Sequence, residues 1–458
     1  MPRDSNTLIG LTVGTTKISV IVAERDSRFR DAVQIIGVGS APSMGIRKGL
    51  IVNLEKAIQS VKRARKEAEN MVGFPLTRAV VSFSADDVSS VPSKGIVSLG
   101  GTPRQIRLDD VERVIEDAQS QLSIPRNEIS LHTIPVSYSI DGSIGIDDPL
   151  GMTGTRLAMD LQTVTVPSPY IQNVINCAEG AGIHVEGLVV KPLSAALGAL
   201  TEEEMRAGVI SICIGGGTTS LAFYRDGRPT KVVIIQIGGD HITNDLANVL
   251  RLTLKKAEEL KKRLFSADDE NFIILDGSGN AGKTIQIETD KAIDIIRCRL
   301  DELFTEHVLA QIPEHNPELF PAGIVLSGGV AKTPDIDNFL MDIFKMPVRV
   351  AEPEDYYEMP PGRNDASYVN AVGTIKYILS KERSSYRFID PPDWPEIYNN
   401  SSLPSDPVIV KQRGKKNNRK IEDVNIPKAG DDVGLLSWAY STVKKFWAMI
   451  KELLEELL

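Results

Sequence analysis

Two stretches of this chain set glycine and hydroxyl side chains between apolar runs. Residues 210–224 read Ile-Ser-Ile-Cys-Ile-Gly-Gly-Gly-Thr-Thr-Ser-Leu-Ala-Phe-Tyr, and residues 8–22 read Leu-Ile-Gly-Leu-Thr-Val-Gly-Thr-Thr-Lys-Ile-Ser-Val-Ile-Val. An apolar, β-branched run, a glycine turn and a second apolar run make a strand, a tight turn and a strand. Gly215, Gly216 and Gly217 carry no Cβ, so their backbone can approach a ligand and offer N–H groups in a row. Thr218 and Thr219 add hydroxyl donors. The chemistry that suits such a loop is an oxyanion with several acceptor oxygens, such as a phosphate chain. Laid over one another, Gly14-Thr15-Thr16 falls on Gly217-Thr218-Thr219. One unit therefore occurs twice, about two hundred residues apart, and repetition of a unit is a fold-level signal. Two such hairpins from two similar halves could grip a triphosphate, with Lys17 as a point charge on it. Taken singly, either could be an ordinary hairpin that needs glycine for positive φ.

Composition bounds the possibilities. The 458 residues suggest two to four domains. Hydrophobic content of 42% and charged content of 25% describe an ordinary soluble globular chain. A net charge of −9 argues against general nucleic-acid binding. Cys177, Cys213 and Cys298 are few and widely spaced, as reduced thiols of a cytosolic protein are, and they form no zinc pattern. Strand-like sequence begins within a few residues of the N-terminus, so no signal peptide is expected. No apolar run is long enough to span a bilayer.

The elements that must position the two loops follow in order. Residues 33–40 read as a strand and 44–49 as a glycine-marked turn. Residues 53–72 form a helix with Leu54, Ile58, Val61, Ala64, Ala68 and Met71 on one stripe, capped by Asn53 and stopped by Gly73. Residues 79–84 are a strand. Residues 84–163 alternate short strands (95–99, 129–134, 138–140) with a helix over 109–121 capped by Asp109. This is an inserted α+β module, suited to protein contacts and without a chemistry-bearing cluster; 147–152 is a turn. Residues 191–200 predict a small-residue helix that could pack between two domains as a hinge. Strand 232–237 leads into Gly238-Gly239 before a helix, a second potential anion site, where Asp240 and Asp245 suit magnesium-bound water. Residues 257–263 are a charged helix whose pairing of Glu258 with Lys262 reads as a solvent face; its Glu258 and Lys261 are also carried as nucleotide contacts. Two strands within 265–290 and a helix over 291–311 follow. A buried strand then feeds Ser327-Gly328-Gly329-Val330, where close backbone approach suits a flat base and ribose.

These motifs together resemble the actin, Hsp70 and hexokinase ATPase superfamily. The two Gly-Thr-Thr hairpins match its phosphate-1 and phosphate-2 motifs, and Ser327-Gly328-Gly329 its adenosine motif. Within it, residues 6–380 resemble the bacterial actin-like cell-division family FtsA, most specifically at Gly45-Ile46-Arg47-Lys48-Gly49 and at Asp147-Asp148-Pro149-Leu150-Gly151-Met152-Thr153-Gly154-Thr155-Arg156-Leu157. The resemblance implies an α/β, actin-like two-lobed ATPase fold: subdomain 1A in 6–83, 164–198 and 363–380, the inserted subdomain 1C in 84–163, subdomain 2A in 199–249 and 319–362, and subdomain 2B in 250–318. It implies ATP with Mg2+ in the cleft, held by Gly14, Thr15, Thr16, Lys17, Gly215, Gly216, Gly217, Thr218, Thr219, Glu258, Lys261, Gly328, Gly329 and Val330. It implies self-association into filaments on the cytoplasmic side of the cell membrane at the division site. There, subdomain 2B would take the C-terminal peptide of the tubulin-like FtsZ, and 1C would receive other division proteins. Where the family commonly has Asp, this chain has Thr12, Cys213 and Ser220. Magnesium would then rest on phosphate oxygens and water, with Asp240 as a substitute ligand, and hydrolysis would be slow or negligible.

The tail adds an independent signal. Residues 381–432 are rich in proline and carry a basic run from Lys411 to Lys420, a disordered linker in pattern. Residues 433–458 repeat apolar positions at steps of three and four, with Leu436, Trp438, Val443, Phe446, Trp447, Ile450, Leu453 and Leu454 beside lysines and glutamates. Such a helix lies in a membrane interface and does not cross it, and the FtsA family ends in the same kind of helix. A nucleotide-free actin-like scaffold and a small-molecule kinase of the same superfamily are the competing readings.

Overall fold

The computed structural model describes residues 6–25, 33–125, 127–265, 272–275, 285–312, 316–353 and 359–383. The expected terminal helix, and the expected linker beyond residue 383, lie outside them. All described residues fall in the first of two compact units, Met1–Tyr398.

The repeat in the sequence is a repeat of whole sheets. In the first half, Thr7–Val13 and Lys17–Arg25 form an antiparallel hairpin, and Val33–Pro42 pairs antiparallel beyond it. On the other side Arg78–Phe83 and then His184–Val190 add in parallel. In the second half, Val209–Ile214, Thr219–Arg225 and Arg228–Ile235 form the same antiparallel run, and Ile324–Ser327 and Val348–Val350 add in parallel. Both sheets thus run third, second, first, fourth, fifth strand from edge to edge. Every residue of Val209–Ile214 is buried, as expected of a strand covered on both faces. Register fixes the turns: Val13 faces Ile18 and Ile214 faces Thr219, so Thr12 and Cys213 hold equivalent places.

Helix Leu54–Val72 covers the first sheet. Asn53 Oδ1 accepts the Lys56 N–H at 3.0 Å, and the helix stops at Gly73 with φ +79°. Its buried face is Ala57, Ser60, Val61, Ala64 and Ala68. Leu54 and Met71, expected on that face, are 39% and 46% exposed. The stripe is set by small residues because the helix lies close on strand Val33–Pro42.

Helix Lys191–Ala199 packs on strands of both sheets, which matches the hinge-like placement expected of its small residues. It crosses helix Val369–Arg383 so closely that a Cβ on Gly373 would collide with the Ser194 carbonyl oxygen, and one on Gly198 with the Val369 carbonyl oxygen.

Residues 89–167 form a separate four-stranded sheet, ordered Ser143–Ile146, Glu128–Ile140, Arg156–Pro167, Ser89–Ser98, with helix Leu108–Ser120 against it. Its strands are longer than the alternation of residue types implied. Asp109 is not the cap. The cap is Arg107, whose N–H donates to the Asp110 carboxylate at 3.0 Å; Asp110 also holds Arg104 at 2.7 and 2.6 Å. This module meets the edge strand of the second sheet, where the Arg228 guanidinium donates to the carbonyls of Pro135 (2.7 Å) and Asp147 (2.9 Å).

Candidate functional site

The two glycine turns face one another across a cleft of about 600 Å3. Of the expected contacts, Gly14, Thr15, Thr16, Lys17, Gly215, Gly216, Thr218, Glu258, Lys261, Gly328, Gly329 and Val330 line it. Residues up to 316 positions apart in sequence, from Gly14 to Val330, are thus brought together. The turns come so near that a Cβ on Gly216 would overlap the Thr16 methyl. The 45–49 turn docks on the same loop, with the Gly49 N–H donating to Thr15 Oγ1 at 2.9 Å.

Gly217 and Thr219 do not line the cleft. Gly217 abuts Thr15 and the Lys48 backbone, and Thr219 is fully buried with its hydroxyl donating to the Ile237 carbonyl at 2.8 Å. Alternation along the strand turns Thr219 inward. Asp240 does not line it either. Burial raises the Asp240 carboxyl pKa, and the nearby Glu258 adds to this while Lys261 opposes it. Asp245 is bound to Arg299 at 2.6 and 3.0 Å, which removes it from any metal role. The Gly238-Gly239 turn is not an anion site: the Gly239 and Asp240 N–H groups donate to the carbonyls of Gly215 (2.9 Å) and Gly216 (2.7 Å). That helix N-terminus braces the second hairpin turn instead. With those acceptors taken, the turn is left to present donors.

Cations dominate the cleft. Among the described residues Lys17, Lys191, Lys261, Lys262 and Lys332 line it, against one carboxylate, Glu258. The Lys17 ammonium donates to Ser367 Oγ at 2.9 Å and lies 3.4 Å from the Tyr368 ring centroid. Burial lowers its pKa to about 8; Asp365 opposes the shift, and Lys332 and Arg363 add to it. Lys261 overturns the solvent-face reading of its helix. It is 6% exposed and holds the Gly239 carbonyl (3.0 Å), Thr243 Oγ1 (2.8 Å) and Glu258 (2.6 Å). Glu258 also reaches Lys262 at 3.4 Å, as expected. Burial pushes its carboxyl up, but Lys261 and the hydrogen bonds outweigh that, and it stays below its ordinary range. Lys332 pairs with Asp365 at 3.0 Å.

Carboxylates are missing where the two hairpins end. Register sets Ser19, Thr12 and Ser82 in one row and Ser220, Cys213 and Ser327 in its counterpart. Thr12 Oγ1, Ser220 Oγ and Ser327 Oγ are buried without a hydrogen-bond partner among the described residues. Three metal-type side chains do meet elsewhere, Glu302, Glu306 and His307, but none lines the cleft.

Sequence reasoning did not single out Lys191, Phe265, Lys332, Ser367 or Asn370, which also line the cleft. Lys332 follows the Gly328-Gly329 pair closely enough to have been included. Ser367 and Asn370 carry no local signal, because their place depends on a strand 350 residues earlier.

Two sheets of like topology, the small-residue helices at their junction and a cleft between paired glycine turns define an actin-like α/β protein. Solved structures agree on the fold: a PilM-PilN type IV pilus biogenesis complex at TM-score 0.58 and 18% identity, covering 82% of this chain and 99% of that one. MreB 5 of Spiroplasma citri bound to AMPPNP follows at TM-score 0.50 and 15% identity, covering 83% and 98%. The family described as "Cell division protein FtsA" matches residues 210–373, and "SHS2 domain inserted in FTSA" matches 85–165. Cell division protein FtsA of Pseudomonas aeruginosa is 34% identical over 387 residues, 82% of this chain and 90% of that protein. That of Bacillus subtilis is 33% identical over 387 residues, 83% and 85%. The chain belongs to the FtsA family of cell-division proteins.

Proposed function

We propose that this cell-division protein binds ATP in the cleft and that the nucleotide clamps its two halves for assembly. Assembly means actin-like filaments on the cytoplasmic face of the cell membrane that hold the FtsZ ring and receive later division proteins. The observation that carries the nucleotide reading is the charge of the cleft: five lysines and one committed carboxylate around two glycine turns. A polyanion relieves that repulsion, and backbone N–H groups and Thr15, Thr16 and Thr218 supply donors to its oxygens. The orphaned Thr12 hydroxyl fits a polar guest. Gly328, Gly329 and Val330 offer the flat wall for base and ribose.

Magnesium fits less well. Neither Thr12 nor Cys213 is a carboxylate, and Glu258 is held by Lys261 and Thr243 at 2.6 Å each. The ion would therefore rest on phosphate oxygens and water, and among the described residues no carboxylate stands at the Thr12 and Cys213 positions to order an attacking water. Binding with little turnover follows. The test is titration of the full chain with a fluorescent ATP analogue. Gly216→Val, which drives a side chain into Thr16, should cost at least about tenfold in affinity, or about 1.4 kcal/mol. Unchanged affinity would remove the cleft from consideration.

The FtsZ, membrane and filament parts rest on family membership and on the sequence pattern of 433–458. Among the described residues no helix is long and apolar enough to cross a membrane, so attachment falls to that terminal segment.

A further inference from the structure

Lys191 stands apart from the other cations of the cleft. Lys17, Lys261, Lys262 and Lys332 each meet an acceptor: Ser367, Glu258, Glu258 and Asp365 in turn. The Lys191 ammonium lines the cleft beside the second glycine turn, 2.6 Å from where a Cβ on Gly215 would stand. It has no hydrogen-bond or ion-pair partner among the described residues. Its backbone position makes the charge harder to hold. Lys191 opens helix Lys191–Ala199, whose N-terminal end carries the positive pole of the helix dipole, where a cation is disfavoured. An unpaired ammonium at that end, facing a turn whose carbonyls are already taken, lacks an anion.

We propose that Lys191 takes the place of the divalent metal at this site. Its ammonium neutralises the phosphate chain where the two glycine turns converge, so nucleotide binds without magnesium. Thr12 and Cys213 offer no carboxylate to hold metal-bound water, and Lys191 supplies a fixed cation of the chain's own. This rests on the nucleotide reading of the cleft and adds to it the source of the neutralising charge.

The experiment titrates the full chain with ATP by calorimetry, once with excess EDTA and once with magnesium. The wild-type chain should bind in EDTA within about threefold of its affinity in magnesium, a difference of roughly 0.7 kcal/mol. Lys191→Ala should lose at least about tenfold in EDTA and recover part of it in magnesium. Lys191→Arg should keep metal-free binding. Lys191→Glu should make binding depend on magnesium, because a carboxylate there repels a bare phosphate chain and attracts a metal-bound one. Melting curves of all variants check the fold. Wild-type binding in magnesium but not in EDTA would overturn the proposal and leave the nucleotide reading standing, as would a Lys191→Ala variant that binds in EDTA as well as wild type. Absence of binding in both buffers would overturn both.

Discussion

Lys17 lies buried in the cleft beside Ser367 and the Tyr368 ring. Its pKa near 8 means that the free protein begins to lose this proton just above neutral pH. A bound phosphate chain favours the charged form and raises that pKa. Binding therefore takes up a proton around pH 8. Affinity should be flat below that value and fall above it, by up to about tenfold per pH unit. Calorimetry across pH 6.5 to 9.5 in Lys17→Met, measured beside wild type, should show a lower and flatter profile (pH range about as wide as the expected shift). The sign for folding is opposite. The folded pKa lies below the unfolded one, so between them the unfolded chain binds more protons and this group's contribution to stability rises with pH. An affinity independent of pH would mean Lys17 does not meet the ligand. At this scale the sequence was informative where chemistry was local. Gly14-Thr15-Thr16-Lys17 announces itself within four residues. The partners Ser367 and Tyr368 do not, because only the fold brings them to Lys17.

Among the elements, the hairpins and the first helix could be read from period and caps, since Asn53 and Gly73 act through neighbouring backbone. Faces were harder. The 54–72 helix buries Val61, Ala64 and Ala68 as its period implies, but Leu54 and Met71 near its ends are exposed and Ala57 and Ser60 are buried as well. The 254–264 helix looked solvated, yet Lys261 turns inward to a carbonyl, a hydroxyl and a carboxylate. Charge patterns along one helix do not reveal what a second helix presents to it. Helix Lys191–Ala199, which packs on strands of both sheets, crosses helix Val369–Arg383 at close range. Gly373→Ala puts a methyl group against the Ser194 carbonyl oxygen, and should cost about 1–3 kcal/mol or more. Denaturant unfolding of the variant reads this directly. A midpoint equal to wild type would show that the helices can separate without loss.

For the whole molecule, the repeated unit makes much of the fold legible in the sequence. A unit that occurs twice sets its own alignment, and that alignment alone makes Thr12 and Cys213 equivalents. The contact between residues 89–167 and the second sheet had no such signal, since Arg228 reaches carbonyls of Pro135 and Asp147 far back in the chain. The proposed attachment to the membrane rests on the sequence pattern of residues 433–458. Changing Trp438, Phe446 and Trp447 to Glu should abolish flotation with anionic vesicles, because an interfacial helix binds through its apolar face and the substitutions put charge there. Retained flotation would move the anchor elsewhere in the chain.

The central claim is that the cleft holds ATP and leaves it intact. Release of phosphate by the full chain, followed at saturating ATP and magnesium with binding measured in the same preparation, tests this most directly. Saturable binding with turnover far below the usual kinase range of about 1–100 per second is the expected result. Brisk turnover would contradict the account, because it would require a carboxylate that neither Thr12 nor Cys213 supplies.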